Sequence, residues 1–73
     1  MKSKEVETWY YKGSEPTRKI IVIATLLTDE QFIEIDKMVN AVDKLSYKYL
    51  LRYLNCQNIK HASREENGII SEA

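Results

Sequence analysis

Cys56 and His61 are the only cysteine and the only histidine in the chain. A thiolate nucleophile needs a positioned base, and this lone histidine lies a few residues on, at the start of the C-terminal tail. Tetrahedral zinc wants four ligands, or three and a water; two side chains do not supply them. Asp29, Glu30, Glu34 and Asp36 are close enough in sequence to suggest a carboxylate pair for acid–base work. Carboxylates at a helix start also complement the helix dipole, and a solvated helix face accounts for all four. Gly13 and Gly68 stand far apart, so no glycine-rich loop cradles a phosphate. The residues therefore predict a binding protein with no cofactor and no metal, and not an enzyme.

Binding chemistry is better represented. Ser46 sits between Lys44 and Lys48. A serine opening a helix, flanked by lysines, suits an anion at the positive end of the dipole. Trp9 and the five tyrosines can stack on bases, anchor a partner, or simply pack, and packing is the commoner use. Tyr47, Tyr49 and Tyr53 fall on one short helix, so a domain this small cannot bury all three.

The elements that position these residues follow from length and pattern. Seventy-three residues allow one small domain, marginal when it stands alone. Eleven basic and eleven acidic residues cancel, so the overall positive field typical of nucleic-acid binders is missing. The charge is segregated, however. Residues 1–19, 20–42, 43–61 and 62–73 carry +2, −3, +3 and −2 in turn. With one cysteine there is no intrachain disulfide. No apolar run is long enough for a membrane span, and none follows Met1–Glu5 as a signal peptide would require. A soluble, cytoplasmic protein without membrane contact is expected.

Residues 5–11, EVETWYY, alternate at first and are rich in β-formers, predicting a strand. Gly13 and Pro16 punctuate a loop over Lys12–Thr17. Residues 18–27, RKIIVIATLL, predict a second strand that is apolar on both faces. Thr28-Asp29-Glu30-Gln31 reads as a capping box. It opens a helix to about Val42, with Phe32, Ile35, Val39 and Val42 as one apolar stripe widened by Met38. Ser46 caps a second helix from Tyr47 to about Cys56 or Asn58, with Leu50, Leu51 and Leu54 on its apolar side. Residues 60–73 show little periodicity and read as a flexible tail anchored only by Ile69-Ile70.

A long apolar strand, a capped helix, a short break and a second helix opening at serine resemble the ribbon-helix-helix domain of the Arc/MetJ type, over about Lys19–Ile59. The junction Leu27-Thr28-Asp29-Glu30 is similar to that family's. The stretch Leu45-Ser46 followed by Tyr49-Leu50-Leu51-Arg52-Tyr53-Leu54 is most like the accessory proteins of plasmid mobilisation and conjugation. The resemblance implies an α+β fold in three parts: an N-terminal strand or arm (1–17), the ribbon-helix-helix domain (18–59) and the tail (60–73). It implies an intertwined homodimer with Ile21, Ile23, Phe32, Ile35, Val39, Leu50, Leu51 and Leu54 in the shared core. It also implies a two-stranded ribbon entering the major groove of double-stranded DNA, as in a transcriptional regulator or relaxosome factor. Ser46, Lys44 and Lys48 would hold phosphate, with Arg18, Lys19 and Thr25 as further contacts.

One feature departs from that family. On an alternating strand Leu27, Thr25, Ile23 and Ile21 share one face, and Leu26, Ala24, Val22 and Ile20 the other. Either the groove-facing side is wholly apolar, or a one-residue shift leaves Thr25 and Lys19 as its only polar readers. A hairpin pairing Val6–Tyr11 with Ile20–Leu27 would extend the ribbon to a sheet. That gives the alternative expectation: a small α+β interaction module, an inhibitor or adaptor from a mobile element, meeting a protein partner through its N-terminal segment or its tail. The lysines Lys2, Lys4 and Lys12 offer the N-terminal segment a DNA contact instead.

Overall fold

A computed structural model describes residues 2–66. The chain is α+β, with a three-stranded antiparallel sheet and two helices. Strand β1 (Glu5–Lys12) and strand β2 (Glu15–Val22) form a hairpin in the register Val6↔Ile21, Thr8↔Lys19, Tyr10↔Thr17. The turn is only Gly13-Ser14, shorter than the six-residue loop expected from Gly13 and Pro16. Gly13 has φ +66°, a left-handed value that glycine adopts without steric cost. Pro16 lies inside β2, opposite Tyr11. It precedes Arg18–Val22, the stretch that the third strand pairs, so its missing N–H breaks no described ladder there.

β2 ends at Val22, not at Leu27. Strict alternation would bury Ile21, Ile23, Thr25 and Leu27 together. The chain instead bends at Thr25, burying Ile23 and Leu27 and leaving Thr25 in solvent. The N-terminal residues brace this segment. Ile23 N donates to Lys4 O at 3.0 Å, and Lys2 and Leu27 exchange backbone hydrogen bonds.

Helix α1 (Asp29–Ala41) opens with the expected capping box. Gln31 N donates to Thr28 Oγ1, and Thr28 N donates to Gln31 Oε1, both at 3.1 Å. Helix α2 (Tyr47–Cys56) opens at Ser46, whose Oγ accepts from Tyr49 N at 3.4 Å. It closes through Asn58 at φ +56°, where Ile59 N returns to Leu54 O at 2.9 Å.

Strand β3 (Ala62–Glu66) corrects the expectation of a flexible tail over those residues. It pairs with β2 from Arg18↔Glu66 to Val22↔Ala62. None of its five side chains is buried, which is why no hydrophobic pattern announces it. Ile69-Ile70 lie outside the described residues.

β2 is therefore the central strand, with β1 along one edge and β3 along the other. The expected ribbon needs one edge of this strand free to pair with a second chain, and over Arg18–Val22 both edges are filled from within the chain. The residues expected to form a shared dimer core also serve a single chain. Ile21, Ile23, Ile35, Leu50 and Leu54 are buried with Val6, Leu27, Leu45 and Ile59, while Phe32, Val39 and Leu51 are half-buried at the margin. Each fully buried aliphatic side chain contributes roughly 1.5–3 kcal/mol.

Candidate interaction surfaces

The outer face of the sheet, away from the helices, is closed by its own charges. Alternation puts Glu5, Glu7, Trp9, Arg18, Ile20, Arg64 and Glu66 on this side. Arg18 reaches Glu7 at 2.7 Å on β1 and Glu66 at 3.1 Å on β3. Arg64 reaches Glu5 and Glu66, each at 3.5 Å. The carboxylate of Glu7, and then that of Glu66, raise the Arg18 pKa further. Its guanidinium is shared between two carboxylates on neighbouring strands. Arg18 thus lies on the outer sheet face, apart from Lys44, Ser46 and Lys48.

The inner face carries a second cluster beside α2. Lys19 Nζ lies 4.7 Å from the Tyr47 ring centroid and 5.4 Å from that of Tyr10, within cation–π range. The Tyr10 hydroxyl donates to the Glu65 carboxylate, and Lys12 pairs with Glu65 at 3.1 Å. The Tyr10 pKa is pushed up to about 12, first by the hydrogen bond to Glu65 and then by desolvation. The Glu65 pKa is lowered by the same hydrogen bond and by Lys12. Lys12 thus helps tie β3 to the hairpin, and Lys19 bridges the hairpin to α2.

A third surface surrounds the start of α2. Trp9 N donates to Leu45 O at 2.8 Å, a short bridge that fixes Ser46 against the edge of β1. Trp9, Tyr10, Tyr11, Pro16, Lys44, Ser46 and Lys48 then line one hollow. Lys44 Nζ sits 4.8 Å over the Trp9 ring, and Tyr11 is 65% exposed. Of the six residues expected to contact DNA, Lys44, Ser46 and Lys48 meet here. Thr25 stands apart, exposed in the bend before α1.

The fourth surface is the groove between the outer sides of α1 and α2. One end is lined by Thr28, Gln31, Ile33, Glu34, Tyr53 and Gln57. The other is lined by Glu34, Lys37, Met38, Ala41, Val42, Lys44, Leu45, Ser46 and Tyr49, so Lys44 and Ser46 border the third surface as well. Glu34 lines both. Ile33 is 52% exposed, Val42 48% and Tyr49 57%. The Tyr53 pKa is raised chiefly by burial and secondarily by Glu34. A surplus tyrosine on α2 was legible in the sequence; Val42 was expected in the apolar stripe of the first helix, but it is the C-cap residue beyond Ala41 and stays exposed. Ile33 was missed, because it interrupts the polar side of α1 between Glu30 and Glu34.

Among the described residues no three His, Cys, Asp or Glu side chains gather as a metal site. The His61 ring is hydrogen-bonded to Asn55 Oδ1 at 3.2 Å, and Cys56 is exposed. No described helix is long and apolar enough to cross a membrane. Comparison with protein-family models, curated proteins and solved structures finds no match to this chain.

Proposed function

We propose that this chain is a small protein-interaction module that works through the groove between α1 and α2. One observation carries the reading: of the five large apolar or aromatic side chains that stay exposed among the described residues, three lie along the α1–α2 side of the molecule, Ile33 in one hollow and Val42 and Tyr49 in the next. The zero net charge and the filled edges of β2 support it over a DNA-reading ribbon. The test compares two surface variants of the immobilised chain as bait, followed by calorimetry with each retained protein in purified form. Val42→Asp with Tyr49→Ala should abolish retention, and Lys48→Glu with Tyr11→Ala should leave it intact. Binding should carry a negative heat-capacity change, the mark of apolar burial. Retention that survives the groove variant overturns the reading.

Double-stranded DNA binding is the second reading. It is supported by the meeting of Lys44, Ser46 and Lys48 with Trp9 and Tyr11 at the positive end of α2. Titration of duplex DNA at two salt concentrations checks it. Affinity that falls with salt and is lost in Lys48→Glu with Tyr11→Ala favours it; no binding at low salt removes it.

A further inference from the structure

The charges that line the groove run from acidic to basic along α1. Glu30 and Glu34 line its first part. Lys37 and, past the helix end, Lys44 line the second, with Asp43 next to Lys44 but outside the lining. Apart from the cation–π contact of Lys44, the four lining charges have no ionic partner among the described residues, whereas Asp36 on the same helix is paired with Lys4 at 3.2 Å. Exposed apolar side chains lie at both ends, with Ile33 at the acidic end and Val42 and Tyr49 at the basic end.

Such a surface complements itself in one orientation. A two-fold axis lays a patch against its own reverse. If two α1 helices lay parallel, Glu34 would face Glu34 and Lys37 would face Lys37, which is repulsive. Laid antiparallel, the acidic half of one meets the basic half of the other, which brings Ile33 of each copy towards the Met38–Val42 end of the other. An unrelated partner would have to reproduce this gradient; the chain already carries it. A domain of this size also gains stability when a second copy covers its exposed apolar surface.

We propose that the partner seated in the groove is a second copy of this chain. The α1 helices lie antiparallel about a two-fold axis, with Glu34 of each copy facing Lys37 of the other. The inference rests on the reading of the groove as an interaction surface and adds the identity of its occupant. The dimer leaves the sheet on its outside and uses no strand edge, so it differs from the intertwined dimer that the sequence suggested.

Sedimentation equilibrium of the full chain over a wide concentration range tests it. The wild type is expected to self-associate to twice the mass of the chain, and Val42→Asp to remain monomeric. Glu34→Lys alone and Lys37→Glu alone should each weaken the dimer by about tenfold or more, because like charges then face across the contact. The double variant Glu34→Lys with Lys37→Glu should recover most of the loss. Such rescue cannot come from unfolding, and circular dichroism of each variant verifies the fold. A wild type that stays monomeric throughout overturns the proposal. So does a dimer indifferent to Val42→Asp and to both charge reversals. If the chain is monomeric while another protein still binds in a Val42-dependent way, the groove reading stands and only its occupant is wrong. If neither self-association nor partner binding responds to groove variants, both fail.

Discussion

The outer face of the sheet and the outer face of the helix pair are the two broad surfaces of this molecule, and they are finished differently. On the sheet, Arg18 and Arg64 interlock with Glu5, Glu7 and Glu66 across all three strands. On the helices, Ile33, Val42 and Tyr49 stay in solvent, and Glu34 and Lys37 have no ionic partners among the described residues. The sheet face spends its charges on holding itself together. The helix face leaves both its apolar area and its charges available. The difference is what favours the proposed groove, because a surface already neutralised from within offers a partner little to displace.

The contrast breaks most sharply in the core that both faces share. Leu50 is fully buried, and Leu50→Ala should cost about 2–5 kcal/mol in urea unfolding, through lost transfer energy and the cavity left behind. A loss below 1 kcal/mol, the scale of a mere surface change, would mean that α2 does not pack as described. Next in size are the caps. Thr28→Ala and Ser46→Ala should each cost about 1 kcal/mol. Comparable losses would show that α1 and α2 depend alike on their first turns.

Smaller effects belong to β3, and pH reveals them. The Glu65 carboxyl is held below its ordinary value of 4.5, first by the Tyr10 hydroxyl and then by Lys12. A lowered carboxyl favours the folded state above its ordinary value, and the contribution disappears as pH falls through the lowered one. The Tyr10 hydroxyl, raised from 10.0 to about 12, works in the opposite sense: its contribution is complete below pH 10 and is lost as pH climbs towards 12. Amide protection of Arg64–Glu66 should therefore fall in acid and in alkali before protection in β1 does. Tyr10→Phe should remove the alkaline limb. Uniform loss across the sheet would show that β3 is not held separately. Arg18→Met should give a slight destabilisation that shrinks with added salt, since its partners are exposed. The least effect on stability is expected in the groove. At dilutions where the chain is monomeric, Val42→Asp and Tyr49→Ala should stay within about 0.5 kcal/mol of wild type, which makes them clean probes of binding.

Local chemistry explains which parts of this fold could be read in advance. Thr28 with Gln31, and Ser46 at its helix start, announce α1 and α2 because a cap is decided within a single turn. Val6 to Tyr11 announce β1 through their β-forming residue types. β3 could not be read, because Ala62–Glu66 contains no apolar alternation and is held by backbone pairing and by ion pairs to distant residues. The end of β2 was misplaced for a related reason. Residues 18–27 are β-forming throughout, and only the packing of Ile23 and Leu27 around an exposed Thr25 shows where the strand must bend. At the surfaces, Lys44, Ser46 and Lys48 were legible as a group through the cap they flank. The capture of Arg18 by Glu7 and Glu66 was not, because it joins residues 11 and 48 positions apart. Ile33 escaped notice as one apolar residue on an otherwise polar helix side.

The most direct test of the helix groove as the working surface is a dilution series followed by amide chemical shifts of the full chain. The account predicts concentration-dependent shifts confined to α1 and α2 around Ile33, Glu34, Lys37, Val42 and Tyr49, with the sheet unmoved. Shifts running along Arg18–Val22 and Ala62–Glu66, or centred on Trp9 and Lys48 with the groove silent, would contradict it.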